Sequence, residues 1–168
     1  MDSGMISKIE KAMLYAKEPE RILFNSFSLS FNGDHEQHKV TYNSSKWQCD
    51  CSYFQDRGVC SHIMTLERVL KNSVQLAEIP ETLPYMDSGI ISKIKKAILY
   101  TEEKERLTFN SFNLIFNGDH KQHQLSYDGN WNCSCSYFST HGVCSHVMTI
   151  ERLLGAAVTP AEGIPSIA

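Results

Sequence analysis

Two stretches of the chain set cysteine and histidine in the same order, CDCSYFQDRGVCSH from Cys49 to His62 and CSCSYFSTHGVCSH from Cys133 to His146. Both read C-x-C-x8-C-x-H, so each offers three thiols and one imidazole, the donor set that zinc takes in a tetrahedral site. Cys49 and Cys51, like Cys133 and Cys135, stand two residues apart, and on a strand such a pair projects from one face toward a common point. The intervening loop must then bring the chain back to the same ion. Phe54 and Phe138 supply that loop with an apolar anchor, and Gly58 and Gly142 stand where a tight turn calls for positive φ. Cys60 with His62, and Cys144 with His146, fall at the start of a helical pattern, where the helix dipole favours thiolate over thiol.

Disulfides are the competing use of these cysteines. Three cysteines per stretch would strand one thiol in each. The start of the chain also lacks the apolar run of a secretory signal, since Lys8, Glu10 and Lys11 interrupt it. An intracellular, reducing setting is expected, cytoplasmic by default or nuclear in a eukaryote, and structural disulfides are rare there. We therefore expect two zinc ions per chain, each with four protein ligands and no open position, which is the structural type of site.

The elements that position these ligands recur with them. MDSGMISKIEKAMLYA at Met1–Ala16 returns as MDSGIISKIKKAILYT at Met86–Thr101, and FNSFSLSFNGDHEQH at Phe24–His38 returns as FNSFNLIFNGDHKQH at Phe109–His123. The chain is a tandem duplication. The copies differ by one residue before Trp47 and Trp131, where SSK is answered by GN, and such a change belongs in a turn.

In each copy, Met5, Ile6, Ile9, Ala12, Met13 and Ala16, or their counterparts Ile90 to Thr101, recur at helical spacing and predict an amphipathic helix whose stripe faces the core. Asp2 or Ser3, and Asp87 or Ser88, are candidate N-caps. Alternation in Phe27, Leu29, Phe31 and again in Val40, Tyr42 predicts a hairpin turning at the Asn-Gly segment. A third strand leads from Trp47 or Trp131 into the first cysteines, and Ile63, Leu66, Leu70 and Val147, Ile150, Leu154 mark a helix after the last ligand.

The fold class is thus α+β: two tandem repeats, each a helix, a small antiparallel three-stranded sheet, and a helix following a Cys3His site. The first repeat spans 1–71, a linker 72–85, the second repeat 86–155 and a tail 156–168. The Pro-bearing linker and tail are expected to be loose, although the echo of EIP in EGIP leaves room for docking on their own copies.

At these residues the sequence resembles the SWIM zinc finger. The resemblance extends to the Phe three residues after the second Cys, the Gly two before the third, and the apolar pair after the His, which are similar to the version in Mutator-like transposases. It covers about 30 residues of each copy. The resemblance implies zinc binding and a role in contacting DNA or proteins.

Other residues carry weaker signals. His35, His38, His120 and His123 with Asp34 or Asp119 could form a further metal site, but a solvated loop for His35 and His120 and a core edge for His38 fit better. Cys60 and His62 could form a nucleophilic pair, yet zinc would occupy both and no orienting acid stands near, so no enzyme is expected. Lys8 and Lys11, repeated as Lys93 and Lys96 with Lys95 added, form a modest basic face. Tyr53 and Tyr137 are expected to face solvent and, with Lys93, Lys95 and Lys96, are the candidate partner-binding residues.

With 16 basic and 19 acidic side chains the formal net charge is −3, and a dication held by three thiolates in each copy takes the zinc-loaded chain to about −5. Nucleic-acid binding draws most of its affinity from a basic surface that this balance lacks. The expected function is therefore a zinc-binding adaptor for a protein partner, with DNA binding as the alternative; no membrane or small-molecule partner is evident.

Overall fold

The computed structural model describes residues 3–77 and 88–161. In chain order the elements are α1 (Ser3–Tyr15), β1 (Ile22–Asn32), β2 (Gln37–Asn43), β3 (Lys46–Cys49), α2 (Ser52–Arg57) and α3 (Ser61–Leu70). The second copy repeats them as α4 (Ser88–Thr101), β4 (Leu107–Asn117), β5 (Gln122–Tyr127), β6 (Trp131–Cys133), α5 (Ser136–His141) and α6 (Ser145–Leu154). The helix–three strands–helix order read from the sequence is present in both copies. The one-turn helices α2 and α5, inside what the sequence reading treated as a loop, are additional. The caps proposed at Asp2 and Asp87 lie outside the described residues; Ser3 and Ser88 are the first helical residues.

The strands form one sheet, in the order β3-β2-β1-β4-β5-β6, with every neighbouring pair antiparallel. The expectation of a three-stranded sheet per repeat holds locally, but β1 and β4 also pair with each other and fuse the two halves. Alone, each half would leave an 11-residue strand as an open edge of unpaired backbone groups; pairing the two removes both edges. Phe27 pairs with its own counterpart Phe112, so a pseudo-twofold axis passes beside that pair.

Register shifts at Asn25 and at the equivalent Asn110 flank the axis. Each inserts one residue and changes the inward parity, which is why Ile22 and Phe24 are buried on the same face as Phe27, Leu29 and Phe31. Strict alternation from Phe27 backward would have sent Phe24 to solvent. Instead Phe24 and Phe109 stack at 6.1 Å on the axis, with Phe27 and Phe112 edge-on to them at 5.6–5.7 Å. Bulky apolar residues fill one face of the sheet, and Ser, Asn, Thr and Gln dominate the other.

The helices cover the apolar face by exchange. α1 lies against α6 of the second copy, and α4 lies against α3 of the first. Ala12 packs with Val143 and Met148 of the other copy, with Met5 and Ile9 beside them. The face that α1 and α4 bury is therefore only part of the apolar stripe read from the sequence: Ala12, Tyr15, Ala97 and Tyr100 are buried, whereas Ile6, Met13, Ile91 and Ile98 are exposed.

The segment after each second helix docks on its own copy, correcting the expectation of a loose linker and tail for the residues described. Trp47 Nε1 donates to Gln75 O at 2.8 Å and Gln75 N donates to the Tyr42 hydroxyl at 3.0 Å. The second copy makes the same pair of bonds from Trp131 to Thr159 O, 2.8 Å, and from Thr159 N to Tyr127, 2.9 Å. Trp and Tyr side chains at the sheet edge thus pin the backbone that leaves α3 and α6.

Candidate metal centres

Each centre is assembled by a strand end and two helix starts. β3 ends at Cys49 and β6 at Cys133, placing the first sulfur at the rim of the sheet. Cys51 and Cys135 are the N-cap residues of α2 and α5, accepting from Phe54 N and Phe138 N at 3.4 Å through sulfur. Cys60 and Cys144 cap α3 and α6 in the same way, accepting from Ile63 N at 3.5 Å and Val147 N at 3.4 Å. A thiolate is the better acceptor, so these caps stabilise the charged form that a metal needs. Between the caps, Gly58 (φ 76) and Gly142 (φ 73) adopt the left-handed conformation that ends the short helix and redirects the chain, as the sequence required.

Cys49, Cys51, Cys60 and His62 bring their ligand atoms within 4.8 Å of one another, and Cys133, Cys135, Cys144 and His146 do the same. Zn–S and Zn–N bonds near 2.3 and 2.0–2.1 Å in a regular tetrahedron imply an S···N edge of about 3.6 Å. The distances from His Nδ1 to the first sulfur are 3.6 Å in the first centre and 3.7 Å in the second. All eight ligands are buried, and all six cysteines are free of disulfides. The residues fit zinc closely, and four protein donors per site close the coordination sphere.

Three thiols this close compete for ionisation. In the first centre, hydrogen bonds from Cys49 and Cys60 hold Cys51 far below the ordinary thiol range, while the Cys51 sulfur beside it pushes Cys49 up to about 12. Cys60 is also pushed up, by Cys49 and then Cys51. In the second, a hydrogen bond from Cys144 lowers Cys133 to about 4, and Cys144 itself is driven up by Cys133. A dication is what lets all three sulfurs be thiolates together.

The second layer around each centre comes from both copies. His62 sits edge-on to Phe31 at 4.8 Å, against His38 at 4.4 Å, and under the ring of Tyr100 at 6.4 Å and 15°. His146 has the matching neighbours Phe116, His123 and Tyr15 at 4.8, 4.3 and 6.2 Å. Tyr100 and Tyr15 belong to the other repeat in each case. Sequence reasoning missed both tyrosines, because it assigned them to no face of their helices and nothing local says that the first helix crosses over. His38 and His123 do not make a further metal cluster with their neighbours among the described residues; they pack on the ligand imidazoles. His38 Nδ1 also meets Asp50 Oδ1 at 3.0 Å, and burial holds His123 below the ordinary imidazole range. His35 and His120 are exposed in the hairpin turns. Gly33 and Gly118 let those turns close over the rings: an added Cβ would stand 3.0 Å from a backbone oxygen and 3.4 Å from the imidazole.

The crossover is held at its ends by charge. Asp34 in the first hairpin turn meets Arg106 at 3.0 Å and Lys96 at 3.2 Å; Asp119 meets Arg21 at 3.1 Å and Lys11 at 3.4 Å. The arginines also donate to the last carbonyls of the other copy's long strand, Arg106 to Asn32 O at 2.8 Å and Arg21 to Asn117 O at 2.9 Å. A hydrogen bond from Lys96 holds the Asp34 carboxyl below its usual range. These partly exposed pairs add little stability each, but they fix the angle at which the crossing helix meets the turn.

The candidate partner-binding residues are placed differently from the sequence expectation. Tyr53 is half-buried under Lys93, whose Nζ stands 4.9 Å from the ring centre, and Tyr137 lies between Lys8 at 5.0 Å and the His141 ring at 3.9 Å. The Tyr53 and Tyr137 hydroxyls are buried without a hydrogen-bond partner among the described residues. Lys96 is engaged by Asp34, so Lys93 and Lys96 serve the contact between copies. Lys95 is exposed.

A buried Cys3His site capped on helix starts defines a structural zinc module, present twice. Residues 38–71 and 126–155 match the family model of the SWIM zinc finger, and the chain carries two tandem SWIM zinc fingers. The matched segments begin in β2 and in β5, so α1, α4 and the whole of β1 and β4, which make the crossover, lie outside them. No curated protein and no solved structure matches the chain. Among the described residues no helix is long and apolar enough to cross a membrane.

Proposed function

We propose that this chain is a non-catalytic adaptor in which two zinc fingers, locked into one body, hold out a pair of helices to a protein partner. The observation that carries this reading is the outer face of α1 and of α4, where both copies leave the same large apolar residues in solvent after the zinc sites and sheet have been covered. Exposed apolar residues gathered on one helix face mark interaction surfaces far more often than scattered ones do. Of the helix lysines that a phosphate backbone would need, four are engaged within the molecule, Lys11 and Lys96 by aspartates and Lys8 and Lys93 over tyrosine rings, while Lys95 is left exposed. Both zinc ions are structural in this reading, and their loss releases the helices along with the fingers.

DNA binding remains the second reading, on one observation. Among the described residues none of the six strands contains Asp or Glu, and the open face of the sheet carries Lys39 and Lys46 among Ser, Asn, Thr and Gln. Titration of zinc-loaded protein with random and enriched duplexes at two salt concentrations separates the readings. The adaptor predicts affinity no tighter than roughly 10⁻⁴ M at physiological salt. Tight, sequence-selective binding that weakens steeply with salt and is lost in a Lys39→Ala, Lys46→Ala variant would overturn it.

A further inference from the structure

Among the described residues, all the exposed large apolar side chains but Leu23 and Leu76 lie on α1 and α4. On α1, Ile6 and Met13 are each 47% exposed and Leu14 is 61%; on α4, Ile91, Ile98 and Leu99 are 41%, 46% and 65%. Residues spaced by three, four, seven and eight fall on one side of a helix, and this side is opposite the one carrying buried Ala12 and Tyr15, or Ala97 and Tyr100. The two stripes are the same surface written twice.

Their charges are not the same. Glu10 stands in the α1 stripe where α4 has Lys95, and Lys17, just past the end of α1, stands where the second copy has Glu102. All four side chains are exposed, and none has an ion-pair partner among the described residues. The inward-reaching lysines, Lys8 and Lys11 against Lys93 and Lys96, are alike in both copies. So the charge differences between the two helices sit on the exposed stripe, and both are reversals of sign.

We propose that the partner of these stripes is a second copy of this chain, with α1 of one molecule lying parallel against α4 of the next, Glu10 facing Lys95 and Lys17 facing Glu102. This rests on the adaptor reading and names its occupant. The sign pattern selects the pairing. Parallel α1–α4 contact sets opposite charges against each other at both positions, whereas parallel α1–α1 or α4–α4 contact and antiparallel α1–α4 contact set like charges together. Antiparallel contact of a helix with its own copy is also compatible with charge, but it would be so for either sign order and needs no reversal between the helices. The reversal is the signature of unlike stripes meeting. A head-to-tail contact of this kind yields either a closed assembly or a growing one, depending on whether the rotation closes.

Sedimentation of the zinc-loaded full chain across a concentration series tests this. The wild type should self-associate reversibly, and the charge reversal Glu10→Lys, Lys17→Glu, which makes both stripes identical, should weaken association by roughly tenfold or more. The reversal Lys95→Glu, Glu102→Lys should do the same. Because each variant then carries the charges the other lacks, mixing the two should restore association, as should combining all four changes in one chain. Two zinc ions per variant would show that folding is intact. If either reversal alone associates as the wild type does, unlike pairing is wrong. A wild type that stays monomeric at millimolar concentration overturns the second copy as partner, and leaves the adaptor reading to be judged by its own DNA titration.

Discussion

Replacing Tyr100 by Ala should strip zinc preferentially from the first centre, although Tyr100 belongs to the second repeat. Its ring is 4% exposed, lies 5.2 Å from Phe31 and stacks above His62, with Arg106 at 4.5 Å on the ring. Truncating a buried aromatic costs roughly 3–5 kcal/mol. The Tyr100 hydroxyl makes no close hydrogen bond among the described residues, although it lies near Asp34 and Lys96, which also pair with each other, so the lower end, about 3 kcal/mol, applies. Because the ligands are ordered by folding, that loss falls on metal affinity at the neighbouring centre, about a hundredfold. Competition with a chromogenic chelator should therefore split into two phases of one zinc each. Alkylation during the first phase, read by peptide mass spectrometry, should label Cys49, Cys51 and Cys60 before Cys133, Cys135 and Cys144. Tyr15→Ala should give the opposite order. If Tyr100→Ala instead exposes the second set of thiols first, each helix packs on its own repeat and the crossover is wrong.

Cys51→Ser should leave one zinc per chain by elemental analysis, since neither ligand set borrows from the other, with a lowered melting temperature because α4 and α3 share a core; zero zinc would show shared ligands. Gly142→Ala introduces a side chain at φ +73 with nothing within 4 Å, so the cost is backbone strain alone, about 1 kcal/mol in denaturant unfolding with zinc content unchanged. Burial raises Glu151 from 4.5 to about 7, against a bond from Ala161 N that favours the charged form. A raised acid contributes stability that is complete below the unfolded value and lost as pH climbs through the folded one. Glu151→Gln should therefore gain on the wild type in melting temperature as pH rises from about 5 to about 8, and parallel curves would contradict the assignment.

The sequence by itself determined the local chemistry. One residue between the first two sulfurs, a glycine at the turn and a Cys-x-His at a helix start are short-range requirements, so the spacing C-x-C-x8-C-x-H already specified both ligand sets, although it placed Cys51 and Cys135 on a strand where the structure makes them the caps of the short helices α2 and α5. Duplication was equally plain, and so was the place of the one-residue difference. It falls in the β2–β3 and β5–β6 turns, where Ser44 and Ser45 take positive φ in one copy and Gly129 in the other. Which residues keep company across the copies was settled only by tertiary structure. The alternation of Phe27, Leu29 and Phe31 says that one face of β1 is buried, but not that its free edge is satisfied by β4. The parity change at Asn25 is invisible until the partner strand sets the register. The helical stripe in α1 is apolar on two sides, and periodicity cannot say which side meets the core. In a duplicated chain each first helix has two chemically equivalent zinc helices to cover, its own and its neighbour's. Local sequence is the same for both choices, so the decision falls to the joined sheet, which places Tyr100 over His62 and Tyr15 over His146.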